Sequence, residues 1–64
     1  MKLTHGKLYK HNVSNTVFQL IKHYDGESWY LKNTSDYGVK KTLPVSEVEM
    51  EESLINYYEE VKLA

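Results

Sequence analysis

The residue types that most often carry catalysis or bind metals are sparse in this sequence. His5, His11 and His23 fall on an N-terminal arm, in a predicted turn and at the end of a predicted strand. No two of them have the i, i+4 spacing with which a helix presents two metal ligands. Cysteine is absent, which excludes disulfides and thiolate zinc sites. We therefore expect no metal site and no cofactor.

Nucleophilic and acid–base catalysis find equally little support. No serine lies in the strand–turn–helix context of a nucleophile elbow. The adjacent carboxylates Glu51-Glu52 and Glu59-Glu60 are typical of an exposed acidic face rather than of a glycosidase pair. An active site also needs a shaped, water-excluding cleft, and a chain of 64 residues has little material for one. We predict that the protein has no catalytic residues and is not an enzyme.

The length of 64 residues predicts a single domain, residues 1–64, with a small core. Turn-forming residues divide the chain into four predicted strands: Lys7–His11, Thr16–Tyr24, Ser28–Asn33 and Val39–Val45. The short loops between them predict an antiparallel meander. The last strand alternates, so its odd-numbered residues from Val39 to Val45 are expected on one side. Pro44 confines this strand to an edge or ends it.

Asp25-Gly26 is the strongest hairpin signal in the chain, because Asp-Gly suits a two-residue turn. Such a loop places Tyr24 opposite Glu27, and each opposed pair further along shares a face of the sheet. The expected core face carries Phe18, Leu20, Lys22, Trp29 and Leu31. The other face carries Val17, Gln19, Ile21, His23, Tyr30 and Lys32. Because the centre of this second face is apolar, we expect the C-terminal segment to cover it.

Two structures suit residues 48–62. Ser46 and Glu49 have capping-box spacing. An apolar stripe of helical period follows them and consists of Met50, Leu54, Tyr57 and Val61. This pattern favours a helix. The alternative is a fifth strand over Leu54–Leu63, which would close a small barrel, because alternate residues there are also apolar.

The fold class expected from these elements is mainly β (α+β). It is a small antiparallel β-meander or partly open barrel of four to five strands with a C-terminal helix. In strand spacing and aromatic placement, Gly6–His11, Val17–Ile21 and Trp29–Asn33 resemble small SH3-like barrel proteins of Gram-positive bacteria and their phages. The resemblance covers residues 6–45 and implies that loops or edge strands bind partners. It carries no functional residue onto this chain.

Charge is distributed unevenly along the chain. Residues 1–24 carry a formal charge of +4 and residues 25–64 carry −5. The stretch Pro44–Glu60 contains six glutamates and no basic residue. The sequence contains neither the apolar stretch of a signal peptide nor a membrane span, so we expect a cytoplasmic protein without a membrane partner.

We expect a non-catalytic small binding or regulatory protein with a protein partner. The acidic segment is expected to dock on a basic groove, which is the action of a phage-type inhibitor of a host protein. The candidate residues are Glu51, Glu52, Tyr57, Tyr58, Glu59 and Glu60. A homodimer through the Val17-Ile21-Tyr30 face or the strand Val39–Val45 is also compatible with the sequence.

The alternative function is binding of single-stranded nucleic acid by a small barrel with a lysine-rich aromatic face. Its candidate residues are Lys22, Tyr24, Trp29, Tyr30, Lys32, Lys40 and Lys41. The absence of arginine counts against this alternative, because bidentate phosphate and guanine contacts prefer arginine.

Overall fold

The structure is a computed structural model and describes residues 2–35 and 40–62. Its elements are β1 (Leu8–His11), β2 (Val17–Lys22), β3 (Trp29–Asn33), α1 (Glu47–Tyr57) and β4 (Tyr58–Glu60). The strands form one antiparallel sheet in the order β3-β2-β1-β4. The predicted mainly β, α+β class with a C-terminal helix is confirmed. Over the residues that the structure describes, the sheet is open and does not close into a barrel.

The β2–β3 hairpin has the predicted register, with Leu20 opposite Leu31. Its loop is wider than predicted. The last backbone hydrogen bond runs from the His23 amide to the Ser28 carbonyl (2.7 Å), which leaves Tyr24–Glu27 as a four-residue loop. A four-residue loop leaves the same residues facing each other as a two-residue loop does, so the assignment of side chains to the two faces holds.

Asp25 organises this loop. Its Oδ1 accepts hydrogen bonds from the amides of Ser28 (2.8 Å) and Glu27 (2.9 Å), and its Oδ2 accepts one from the Ser28 hydroxyl (2.8 Å). These donors stabilise the ionised carboxylate and lower the pKa of Asp25 to about 2. Gly26 supplies the positive φ of 77° in the same loop.

The lowered pKa of Asp25 predicts a specific loss of stability in acid. The ordinary pKa of this carboxyl is 3.8, so its ionised form stabilises the fold above that pH. This contribution is lost as the pH falls through about 2. We expect the Asp25 carboxyl carbon to titrate near pH 2 by NMR, and Asp25→Asn to lose less thermal stability than wild type between pH 4 and 2. Titration of the Asp25 carboxyl at its ordinary pKa would contradict this prediction. So would a loop control, Glu27→Gln, whose thermal stability in acid is as insensitive to pH as that of Asp25→Asn.

Residues 40–45 run beside β3 without forming a continuous strand. Lys41 bridges to Lys32 and Val45 bridges to Trp29. Positions 41 to 45 span four steps, whereas positions 29 to 32 span three, so this segment contains one extra residue. The extra residue acts as a bulge. It places Lys41 and Val45 on opposite faces of the sheet although they are four positions apart.

The bulge overturns the predicted one-sided alternation along Val39–Val45. Val45 packs against the core, whereas Leu43 is 84% exposed. Between the two bridges, Thr42 pairs this segment with β3. Its amide donates to the Leu31 carbonyl (2.9 Å), and its Oγ1 accepts a hydrogen bond from the Leu31 amide (2.9 Å). The first residue of that predicted strand lies outside the described residues.

The C-terminal segment forms a helix and then a short strand, so each of the two interpretations holds for part of it. α1 begins after Ser46, whose Oγ accepts a hydrogen bond from the Glu49 amide (3.3 Å), as the capping box predicts. The chain then leaves the helix directly into β4, which pairs with β1. Val61 therefore lies beyond the helix, contrary to the predicted stripe, of which Met50 and Leu54 are buried.

The core lies between α1 and one face of the sheet. Its buried side chains are Leu3, Tyr9, Leu20, Trp29, Leu31, Met50 and Leu54, with Phe18, Val45 and Tyr58 packed against them. The chain enters α1 from the β3 edge and leaves it into β4 at the opposite edge. A helix of 11 residues is about 16 Å long, which matches the roughly 14 Å across four strands. α1 therefore crosses the sheet from edge to edge.

The prediction that the C-terminal segment covers the second face of the sheet is wrong. α1 packs on the face of Leu20 and Leu31. On the opposite face Ile21 and Tyr30 are half-buried, and no helix of the described chain lies over them. The reason is the bulge, because it turns Val45 toward the core immediately before α1 begins.

Candidate functional site

The six residues expected to form an acidic binding segment are divided between β4 and α1. On β4, Tyr58 turns inward. Its ring meets the Phe18 ring edge-on with 5.8 Å between centroids, and burial raises the pKa of Tyr58. Glu60 forms an ion pair with Lys7, and Glu59 lies on the opposite face of the sheet from Tyr58 and Glu60. The three β4 residues therefore do not form one contact surface.

On α1, Glu51 and Glu52 lie beside two exposed aliphatic residues. Val48 is 66% exposed and Ile55 is 64% exposed. They are seven positions apart, or about two helical turns, with the two glutamates between them on the same side of the helix. We call Val48, Glu51, Glu52 and Ile55 the outer helix stripe. Val48 and Ile55 are not among the predicted site residues, although their spacing of seven positions indicates one side of a helix.

The outer helix stripe lies on a helix with uncompensated negative charge. The first turn contains Glu47 and Glu49, and the last turn contains no basic residue. Acids suit the helix N-terminus, but Glu47 and Glu51 are like charges at i, i+4, which repel. Across residues 2–35 and 40–62 the one ion pair joins Lys7 to Glu60, so α1 is not neutralised from within the described chain. The remaining α1 candidate, the C-terminal Tyr57, is 60% exposed and lies away from the stripe.

The seven residues expected to form a basic aromatic face do not share one surface. Trp29 is 6% exposed and belongs to the core, so its ring cannot stack on a base. Lys22 lies 5.6 Å from the centroid of that ring, on the helix side of the sheet. Tyr24 is 94% exposed in the hairpin loop, and Lys40 is exposed beside β3. The expected platform is therefore divided.

The other three residues, Tyr30, Lys32 and Lys41, lie together on the face of the sheet opposite α1, which we call the back face. Lys32 and Lys41 are directly opposed, and Lys41 Nζ lies 5.4 Å from the centroid of the Tyr30 ring. Ile21 lies opposite Tyr30 on β2. Lys10, which is not among the predicted site residues, shares this face through the register of β1 and β2. Strand pairing between β1 and β2 was needed to place it.

A pocket of about 190 Å³ opens between α1, the segment 40–45 and the end of β1. Buried Leu31 and Met50 line it together with exposed Leu43 and Tyr57. Its volume is below the roughly 300–1,000 Å³ typical of small-molecule sites, so it suits a single side chain. A more open depression of about 480 Å³ lies between the start of β1 and the end of β4.

The three histidines have separate local contacts. His5 Nδ1 accepts a hydrogen bond from the Lys22 amide (3.1 Å), and His11 Nδ1 accepts one from the Val13 amide (3.2 Å). The His23 ring packs against the neighbouring tyrosine with 4.1 Å between centroids. Within the described residues no three His, Cys, Asp or Glu side chains form a group that could hold a metal ion. In the same part of the chain, no helix has the length and apolarity that crossing a membrane requires.

No protein-family model, no curated protein and no solved structure matches this chain. The resemblance to SH3-like barrel proteins therefore stays a prediction from strand spacing. The outer helix stripe and the back face are the two surfaces from which a function can be inferred.

Proposed function

We propose that the protein is a non-catalytic regulatory protein that binds another protein through the outer helix stripe. The observation that carries this proposal is the exposure of Val48 (66%) and Ile55 (64%) on one side of an acidic helix. Burying an aliphatic side chain of this kind is worth roughly 1.5–3 kcal/mol. A partner that covers both residues gains this free energy without any change in the fold.

Charge indicates the chemistry of the partner. Glu51 and Glu52 lie between the two aliphatic residues on the same side of α1, so the complementary surface combines basic groups with apolar contacts. Grooves of this kind often hold nucleic acid, and carboxylates in the positions of phosphates would make the protein a competitor there. This is the action expected of a small phage-type inhibitor of a host protein, and we place it in the cytoplasm.

The test is capture of a partner from a nuclease-treated lysate of the source cells by the immobilised full chain. Wild type is compared with Val48→Ser/Ile55→Ser and with the control Val13→Ser, which alters an 85% exposed aliphatic residue in the β1–β2 turn. We expect wild type and the control to capture one protein stoichiometrically, and the stripe variant to lose it. Equal capture by all three proteins, or no stoichiometric partner, would contradict the proposal.

The charged part of the stripe is tested on the same partner after purification. Glu51→Gln/Glu52→Gln should raise the Kd about tenfold at low salt, a change of about 1.4 kcal/mol. The effect should appear mainly in the association rate and shrink as salt is added. The control Glu27→Gln/Glu59→Gln removes the same charge from exposed positions outside α1 and should leave the Kd unchanged. Equal effects of both pairs would show that net charge, rather than the stripe, is responsible.

A further inference from the structure

We propose that the back face of the sheet is a second binding surface and that its ligand is single-stranded nucleic acid. The surface is separate from the outer helix stripe, because α1 packs on the other face of the sheet. It is centred on Tyr30, Lys32 and Lys41, which come from β3 and the bulged segment beside it.

The first reason is a cross-strand pair of like charges. Lys32 and Lys41 are directly opposed across an antiparallel bridge, an arrangement that is electrostatically unfavourable. Neither lysine forms an ion pair with an acid of the described residues. A phosphate group held between Lys32 and Lys41 converts their repulsion into two charge-assisted hydrogen bonds.

The second reason is the aromatic ring beside these lysines. Tyr30 is half-buried on the back face, with the His23 ring 6.0 Å away and Lys41 Nζ at 5.4 Å from its centroid. Bases of any sequence stack on such rings, which contributes about 1–3 kcal/mol for each base. Ile21 extends the apolar surface onto β2. A nucleotide chain supplies both a base for Tyr30 and phosphates for the lysine pair.

The kind of basic residue predicts how the nucleic acid is held. The eight basic residues of the chain are all lysines. Lysine binds phosphate as a point charge and cannot make the bidentate contacts of arginine, so the site should contact phosphates without selecting a base sequence. On β4, Glu59 lies opposite Lys10 and limits the positive surface to the β3 side of the back face. The site therefore holds a short stretch of the nucleic-acid strand, and its affinity should decrease as salt is added.

The test is fluorescence anisotropy of a short labelled oligothymidine titrated with the full chain at low salt. Lys32→Gln/Lys41→Gln is compared with Lys22→Gln/Lys62→Gln, which removes the same charge from the helix side of the sheet and from the chain beyond β4. We expect the back-face variant to lose at least tenfold in affinity. Its slope of log K against log salt should fall by about 1.4, because each phosphate contact to a single strand contributes about 0.7. The control should bind within about twofold of wild type.

Tyr30→Leu separates stacking from charge, since it should weaken binding without changing the salt slope. Val48→Ser/Ile55→Ser should bind the oligonucleotide normally, so failure at one surface is distinguishable from failure at the other. The proposal is overturned if wild type does not bind at low salt, or if both lysine pairs lose affinity equally. It is also overturned if Lys32→Gln/Lys41→Gln abolishes self-association or capture of a protein while leaving oligonucleotide binding intact.

Discussion

Leu20→Ala is expected to leave much of the protein unfolded at 25 °C. Leu20 is 0% exposed and belongs to the core between the sheet and α1. Truncating a buried leucine to alanine lowers the free energy of unfolding by about 2–5 kcal/mol. A domain of this size without disulfides has only roughly 3–5 kcal/mol of stability. The loss therefore approaches the whole stability of the fold.

The change in Leu20 is measured by urea unfolding, followed through the fluorescence of Trp29, which is 6% exposed in the same core. Leu43→Ala is the matched control. It makes the same chemical change at a side chain that is 84% exposed, and its effect should stay within about 0.5 kcal/mol. A Leu20→Ala protein with the unfolding midpoint of wild type, or equal losses in both variants, would show that Leu20 is not central to the core.

Thr42→Val is expected to lower the free energy of unfolding by about 1–3 kcal/mol although valine has nearly the same shape. Thr42 Oγ1 accepts the hydrogen bond of the Leu31 amide (2.9 Å), and Leu31 is 2% exposed. Valine removes the acceptor and leaves this amide unpaired beside the core. The edge of the sheet then loses one of the hydrogen bonds that hold the bulged segment on β3.

Thermal unfolding measures this effect, because 1 kcal/mol corresponds to about 4–8 °C in Tm for a domain of this size. Amide hydrogen exchange at Leu31 should also become faster in Thr42→Val. Thr4→Val makes the same replacement at an exposed threonine outside the strands and should leave both readouts unchanged. Slow exchange at Leu31 in the Thr42 variant would mean that another acceptor takes the place of the hydroxyl.

The two proposed binding surfaces lie on opposite sides of the same small sheet. A protein on the outer helix stripe and a nucleic acid on the back face would therefore not compete for the same side chains. The acidic helix and the lysine pair are also kept apart by the sheet, which prevents them from neutralising each other within one molecule.

Local features of the fold were predictable because each depends on residues that are close in the chain. Asp25-Gly26 specifies the loop, and through it the pairing of Leu20 with Leu31. Ser46 specifies the start of α1 through a hydrogen bond to an amide three residues away. Once the hairpin register is known, the alternation of side chains assigns each residue of β2 and β3 to a face of the sheet. The residues that the sheet contributes to the core were therefore predictable from the sequence.

The placement of α1 and the composition of the binding surfaces depended on contacts between distant residues. One extra residue between the Lys41 and Val45 bridges sent Lys41 to the back face and Val45 to the core. Pro44 lies between the two bridges and is compatible with a bulge, but it does not specify the register on either side. The side of the sheet that α1 covers, and the residues left exposed on it, follow from this shift. The hairpin loop and the start of α1 could be predicted because the hydrogen bonds that form them join residues only a few positions apart. The register of residues 40–45 depends on their contacts with β3. The free energy of such a contact depends on both residues that form it, and these are far apart in the chain.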